Sequence, residues 1–432
     1  MTDVKATSAP FIPIVLMMAS SAAEREQDAD REAEMRNLLD TAGRQAVAVL
    51  AQHLPKPVGP TYIGTGKIEE LKALVQSTGA KEAVFSVQLS PRQQRRLEEE
   101  LGTSVIDYDE LILEIFARNA RTSQALLAVE LAQMEYQRGR LKRLWTHLDR
   151  QKIGGSSGSG SGFKAGTGEK QIEMDRRQVR KRIQDLRGKL EEIASRTDRV
   201  VASRQEAFTV SLVGYTNAGK STLMNALTGA GVLAENRLFA TLDTRSSRLH
   251  LDGHKNVVLS DTVGFIRNLP PTLIASFHAT LAEVREADLL LHVVDSASPV
   301  MEQQIAAVTK VLNTIEADNV PLLTVFNKVD ACVSRTILAA VRRNHAGAVA
   351  VSAKTGEGLD TLREAIGKQI EKLQRTVEVR FDSGDGALGA KVRSRARVLK
   401  ERYLRDKTVL TIAADPDIIN ELAGCPGITL KG

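Results

Sequence analysis

Cysteine is scarce, with only Cys332 and Cys425 in 432 residues. The two lie far apart and in neither metal-binding nor redox spacing. That excludes a disulfide scaffold and a zinc module, and it fits a reducing compartment. Long apolar runs are also lacking, since none approaches the ~18 residues of a membrane span. Phe11–Ala19 is apolar but carries Pro13 and has no strongly basic lead, so it reads as a first strand and not as a targeting signal. A cytoplasmic protein is expected. No symmetric interface pattern stands out, and a monomer is expected.

What is present is an ordinary apolar fraction of 42%, enough for sizeable cores, in a length that suggests about three domains. Net charge is +6, yet Arg138–Leu190 alone holds fifteen Lys/Arg against five Asp/Glu. This local excess of ten exceeds the balance of the whole chain. It points to a polyanionic partner, of which nucleic acid is the commonest.

Taken in order, residues 1–115 read as a small α/β domain. Strands are expected at Phe11–Met18, Ala46–Leu50, Ala83–Val87 and Thr103–Ile106, alternating with helices. Gly64-Thr-Gly66-Lys67 heads one of these helices as a basic turn, either a phosphate seat or a plain βα turn. Residues 116–205 read as a basic helical hairpin. Uninterrupted helical pattern runs from Leu111 to Trp145 and from Lys170 to Ser203, around a Gly/Ser-rich tip at 154–168. By composition the tip is a flexible linker. Residues 206–375 carry buried-type apolar strands between helical patterns, the signature of a doubly wound, mostly parallel sheet. The small α/β remainder at 376–432 reads as a strand at Val377–Phe381, a basic helix around Lys391–Arg402 and a strand at Val409–Ile412. The expected fold class is α/β.

The organising stretch is Phe208–Leu227. A β-branched strand runs straight into Gly214-Tyr215-Thr216-Asn217-Ala218-Gly219-Lys220-Ser221-Thr222, and a helical pattern follows. This is GxxxxGK[ST] in strand–loop–helix context, where backbone N–H groups cradle phosphate at a helix N-terminus. Lys220 is expected to reach the β- and γ-phosphates, and Ser221 to hold Mg²⁺. Asp261, ending a strand, joins the Mg²⁺ shell, and Gly264 offers its N–H to the γ-phosphate. Thr241, or less favourably Thr244, completes the shell. Asn327-Lys328-Val-Asp330 reads guanine, whose N1–H and 2-amino group one carboxylate can accept together. Ser352-Ala353-Lys354 supports the same base. Five short motifs in order, at strand ends or in loops, define a GTP-binding domain with GTP as substrate and Mg²⁺ as cofactor.

One absence bears on mechanism. Where many GTPases place a water-positioning Gln after the Asp-x-x-Gly glycine, this chain has Phe265. Slow intrinsic hydrolysis is expected, completed by a partner or by other groups. Asn217 has two readings: a structural loop residue, or a ligand of a K⁺ ion that acts as a fixed cation in catalysis. The expected catalytic set is Lys220, Thr241, Gly264 and Asn217.

Beyond the shared motifs, several stretches resemble the HflX family of translation-factor-related GTPases over nearly the whole chain. They are Tyr62-Ile-Gly-Thr-Gly-Lys-Ile-Glu-Glu-Leu71, Leu111-Ile-Leu-Glu-Ile-Phe-Ala117, Val129-Glu-Leu-Ala-Gln133 and Leu144-Trp-Thr-His-Leu-Asp-Arg-Gln151, with Gly168-Glu-Lys-Gln-Ile-Glu-Met-Asp-Arg-Arg177, Phe239-Ala-Thr-Leu-Asp243 and Asp261-Thr-Val-Gly-Phe265. The resemblance implies an N-terminal domain and hairpin acting together on the large (50S) ribosomal subunit and its rRNA. The glycine-rich tip would enter the peptidyl-transferase region. GTP-bound protein would split stalled ribosomes, and hydrolysis would release it. It also implies partial ribosome association in the cytoplasm and an ATP-linked activity of the N-terminal domain, for which Gly64–Lys67 is the local feature. The chain departs from the family pattern in a longer Gly-Ser tip, in Tyr108 where a charged residue is usual, and around Thr122-Ser-Gln-Ala-Leu.

Overall fold

The computed structural model describes residues 11–21, 25, 27–153, 174, 177–193, 208–229, 238–239, 245–251, 254–332, 345, 347–414 and 416–431, without the side chains of 141–153, 254–256, 278–280, 375 and 416–417. The chain divides into two units. The first takes in Met1–Arg196 with Glu235–Asp243 and Arg267–Thr280, and the second Thr197–Ala234 with Thr244–Ile266 and Leu281–Gly432.

The first unit is built on a parallel sheet of order β2-β1-β3-β4, from β1 (Ile12–Ser20), β2 (Arg44–His53), β3 (Glu82–Phe85) and β4 (Ser104–Ile106). Helices α1 (Asp28–Thr41), α2 (Thr65–Thr78) and α3 (Pro91–Leu101) connect them. Local chemistry sets the α3 boundaries. Ser90 and Gln93 form a capping box, Pro91 takes the first turn, and Gly102 ends the helix in the left-handed conformation at φ +68. Val15, Met17, Leu71, Phe85 and Leu97 share one core, each large side chain contributing roughly 1.5–3 kcal/mol by burial.

The single helix expected from Leu111 is two. α4 (Tyr108–Asn119) and α5 (Ser123–Ile153) are separated by an extended Ala120, ψ 124. Thr122 restarts the helix, its Oγ1 accepting from the Ala125 N–H at 3.2 Å. α4 buries residues around most of its circumference, including Leu111, Ile112, Leu113, Ile115 and Phe116. The Phe116 ring lies 4.6 Å from Phe239 and 5.4 Å from Phe277. Asn119 donates to the Phe239 carbonyl at 3.1 Å, and the Tyr108 hydroxyl to the Arg267 carbonyl at 2.7 Å. Phe239 and Arg267–Phe277, distant in sequence, thereby complete this unit's interior.

A polar cluster joins α4 to α5. Asp107 is fully buried; it caps α4 through the Glu110 N–H and also accepts from the Leu89 N–H, the Tyr136 hydroxyl and Arg140. Gln88 donates to Asp109 at 2.6 Å. Burial first, then the Asp107 charge, pushes the Asp109 carboxyl up to about 7. A helix over 177–193, α6, buries Ile183, Leu186 and Leu190 on one stripe. It pairs Arg182 with Glu130 and Arg187 with Glu135. Both pairs span 52 residues, so they advance together along α5 and α6. The tip loop itself lies outside the described residues.

The second unit begins with a six-stranded sheet of order β10-β9-β8-β5-β7-β6. Its strands are β5 (Phe208–Gly214), β6 (Arg245–Leu251), β7 (His254–Asp261), β8 (Leu289–Asp295), β9 (Leu322–Asn327) and β10 (Val349–Ala350). All neighbours are parallel except β6, which runs antiparallel to β7 at the edge. Helices α7 (Lys220–Thr228), α10 (Met301–Thr314) and α11 (Leu359–Leu373) belong to this unit; α8 (Pro271–Ser276) precedes α9 (His278–Arg285) in the intervening chain. β5 and β8 are buried on both faces, which accounts for their continuous apolar sequences.

A four-stranded antiparallel sheet of order β12-β13-β11-β14 follows, with topology β11 (Arg375–Asp382), α12 (Gly386–Arg395), β12 (Arg397–Leu404), β13 (Lys407–Ala414), α13 (Pro416–Ala423) and β14 (Thr429–Lys431). The basic helix expected around Lys391–Arg402 ends at Arg395, and its second half is the edge strand β12. Val398 and Tyr403 favour extended backbone, and pairing with β13 outweighs the helical reading of the charges. The fold class is α/β, with a P-loop GTPase domain between an N-terminal domain and a C-terminal sheet domain.

Candidate nucleotide-binding site

The site lies at the carboxyl ends of β5, β7, β8 and β9, where an open parallel sheet presents loops and helix N-termini. β5 ends at Gly214, whose φ is +154; a Cβ there would sit 2.2 Å from the Val293 carbonyl oxygen. Gly219 has φ +91, and a Cβ would meet the Asn327 Nδ2 at 2.3 Å. Both positions demand glycine for space as well as conformation. Between them Asn217 is exposed in the left-handed region, φ 60. The loop is therefore a fixed concave backbone turn, with α7 opening at Lys220.

The Lys220 ammonium is buried and donates to the carbonyls of Gly214 and Tyr215 at 3.2 and 3.0 Å. Burial pulls its pKa down to about 8, and the Asp261 charge works against that fall. The Ser221 hydroxyl donates to Asp261 Oδ2 at 2.6 Å, at the end of β7. A hydroxyl beside a carboxylate is the hard-oxygen donor set that Mg²⁺ takes. Gly264 follows, where a Cβ would be 2.9 Å from Thr216 Cγ2 and 3.0 Å from Lys220 Nζ. The Phe265 N–H and carbonyl bond to the Gly214 carbonyl and the Thr216 N–H, and the ring is 1% exposed. Phe265 is thus a core residue that ties two phosphate-side loops together.

On the base side, Asn327 bridges loops. Its amide donates to the Ala218 carbonyl at 2.9 Å and its Oδ1 accepts from the Ala353 N–H at 3.0 Å. Lys328, at φ 63, pairs with Asp295 at 2.7 Å. Ser352 donates to Asp330 Oδ1 at 2.7 Å, fixing that carboxylate. Ala353 is buried, Lys354 is exposed, and Thr222 on α7 is half-buried. The structure brings together every site residue read from the sequence except Thr241 and Thr244, which lie outside the described residues. Sequence reading missed Asp295, which anchors Lys328, and Gly358, where a Cβ would lie 2.3 Å from the Ala350 carbonyl oxygen. Asp295 carried a signal of its own, a carboxylate ending the buried run Leu289–Val294. His292 within that run is buried, and burial holds its imidazole down at about 4, so it stays neutral.

A phosphate loop with glycines fixed by close approach, a buried lysine, a Ser–Asp pair and a bridged Asn-Lys-x-Asp define a P-loop GTP-binding domain. Three family models match: "GTP-binding GTPase N-terminal" over 29–117, "GTP-binding GTPase Middle Region" over 119–204 and "50S ribosome-binding GTPase" over 209–328. The GTPase HflX of Magnetococcus marinus is 43% identical over 90% of this chain and 89% of its own. That of Escherichia coli is 40% identical over 89% of each. A Sulfolobus solfataricus GTP-binding protein in complex with GDP is 23% identical, with TM-score 0.41, over 82% of this chain and 98% of its own. The chain belongs to the HflX GTPase family. It is a GTP hydrolase.

Proposed function

We propose that the chain uses GTP to bind the large ribosomal subunit and to dissociate or rescue stalled ribosomes. The observation that carries the catalytic half is the position of Lys220, held on the Gly214 and Tyr215 carbonyls beside the Ser221–Asp261 pair. The backbone of Gly214–Gly219, with Tyr215, Thr216, Asn217 and Ala218, cradles the phosphates, and Lys220 moves from the loop carbonyls to the β- and γ-oxygens. Ser221 and Asp261, with Thr241, would hold Mg²⁺, which would supply positive charge against the phosphate oxygens. The Gly264 N–H meets the γ-phosphate, and Thr222, next to Ser221 at the start of α7, joins the nucleotide-binding residues. Asp330 accepts from the guanine edge, while Asn327, Lys328, Ser352, Ala353 and Lys354 hold the base pocket in shape. A site built on such polar pairing rejects the wrong base strongly.

Phe265 supplies no polar group to the attacking water, so turnover awaits a group from outside the chain or a K⁺ ion on Asn217. The local excess of cations along 138–190, and the description of the matched G-domain family as ribosome-binding, support the large subunit as the activator. GTP hydrolysis with and without purified large subunits, in K⁺ and again in Na⁺ buffer, tests this reading. Strong stimulation by the subunit is expected. Stimulation by K⁺ alone would move the ribosome to a secondary place. Better binding to subunit precursors than to mature subunits would favour a role in ribosome assembly.

A further inference from the structure

The C-terminal sheet has two unlike faces. Helices α12 and α13 cover one, over Val379, Phe381, Leu410 and Ile412. Strand pleating sends alternate residues to the other. The pairing register lays that face out in rows: Lys400, Thr411, Glu378 and Lys431; Arg402, Val409, Arg380 and Thr429; Leu404, Lys407 and Asp382. The β12–β13 turn adds Arg405 at φ 47.

Unpaired positive charge gathers on this second face. Residues 391–407 hold eight Lys/Arg and two acidic residues. Lys391 and Arg395 pair with Glu421, Arg393 with Glu401 and Arg397 with Glu371, all on α12 or at the start of β12. Among the described residues, Lys400, Arg402, Arg405, Lys407 and Lys431 have no ion pair; on the open face Arg380 pairs with Glu378, and Arg397, which the register sets opposite Ala413, pairs with Glu371. Guarding an exposed edge strand against aggregation would account for charges on β12 alone. It accounts equally for Lys431 on the other edge strand, β14, but not for Lys407 on the inner strand β13.

We propose that this open face is a second nucleic-acid contact, seating the phosphate backbone of structured RNA. Lys400 and Arg402 stand two residues apart on one strand, about 7 Å by strand rise, comparable to the separation of successive phosphates. The rows of β11 and β13 carry no aromatic residue on this face. Tyr403 falls on the opposite face by register, its hydroxyl on Glu401 at 2.6 Å. Without a stacking platform, splayed bases have no seat, so the face takes backbone and does so without regard to sequence. An anionic membrane needs an apolar wedge for stable docking, and of the apolar residues in these rows only Leu404 is exposed, Val409 being buried. The surface is distinct from the basic segment at 138–190, and its test does not depend on GTP turnover.

The full-length chain and the triple variant Lys400→Glu/Arg402→Glu/Lys407→Glu are titrated with a labelled RNA duplex across a salt series. The slope of log affinity against log salt is expected to shrink by about 2 to 3, at roughly 0.9 for each phosphate no longer neutralised. GTP affinity, read in parallel, is expected to be unchanged. An unchanged slope in a variant that keeps GTP affinity overturns the proposal. Loss of binding to phosphatidylserine vesicles with RNA binding intact overturns it in favour of a lipid surface. Should the variant misfold, lysine acetylation of the unaltered chain decides: RNA is expected to protect Lys400, Lys407 and Lys431 but not Lys391, and equal labelling with and without RNA overturns the proposal.

Discussion

Lys220 and Phe265 show how single residues set the chemistry. With its pKa held at about 8 by burial, Lys220 loses its proton well below the ordinary lysine value of 10.5. A bound phosphate favours the protonated form and draws the pKa back up. Above about pH 8, nucleotide binding therefore takes up a proton, and affinity falls by up to about tenfold per pH unit. Calorimetry at pH 9 in buffers of different ionisation enthalpy reads the uptake directly; heats that are independent of buffer would refute it. Lys220→Ala is expected to lower GTP turnover by about 10²-fold or more, the scale of losing one preorganised donor. Phe265→Gln tests the missing water-positioning side chain. Since Phe265 is core and bonded by its backbone to the phosphate loop, a glutamine there buries an amide and leaves a void. About 3 kcal/mol of lost stability with no gain in basal turnover is expected, and a faster basal rate would sink the argument. Nearly all of this site was legible, because phosphate chemistry dictates glycine, lysine and hydroxyl at fixed spacing. Asp295 was harder to see, since a strand-end carboxylate has no fixed distance from the lysine it anchors.

At the scale of elements, α4 concentrates both packing and titration. Phe116→Ala removes a ring packed by two others and is expected to cost about 3–5 kcal/mol, read as a lower urea midpoint for the first unit. Asp109 titrates in the same region. Folded, it keeps its proton up to about 7, whereas its ordinary value is 3.8. Between those values the folded state binds more protons than the unfolded one. Stability therefore falls as pH climbs through the window and levels off above it. Glu110, also raised by burial, tilts the slope the same way. Asp109→Asn is expected to flatten the dependence between pH 4 and 7, and an unaltered slope would discount the group. The break between α4 and α5 was present in the sequence as Thr122-Ser123, a capping signal outvoted by continuous helical pattern. The strand β12 was misread for the converse reason, because its Lys and Arg suit a helix surface while its exposed β-formers reveal themselves only beside β13.

At the scale of the molecule, the order of the sheets was legible in part. The alternation of buried strands and helices in 206–375 specified a parallel sheet, and β6 alone departs from it. What composition could not convey is that two stretches inside the nucleotide-binding sequence belong to the first unit. Helical periodicity describes Pro271–Ser276 but does not name the residues it packs on.

That discontinuity bears on how the protein is made. During synthesis the N-terminal sheet emerges early, but the rings that flank Phe116 are more than a hundred residues behind it, at Phe239 and Phe277. Until they arrive α4 has an unfinished side, and a nascent or truncated chain ending near residue 205 exposes that apolar surface. Such a fragment should bind a chaperone or aggregate, whereas one extended past Thr280 should not.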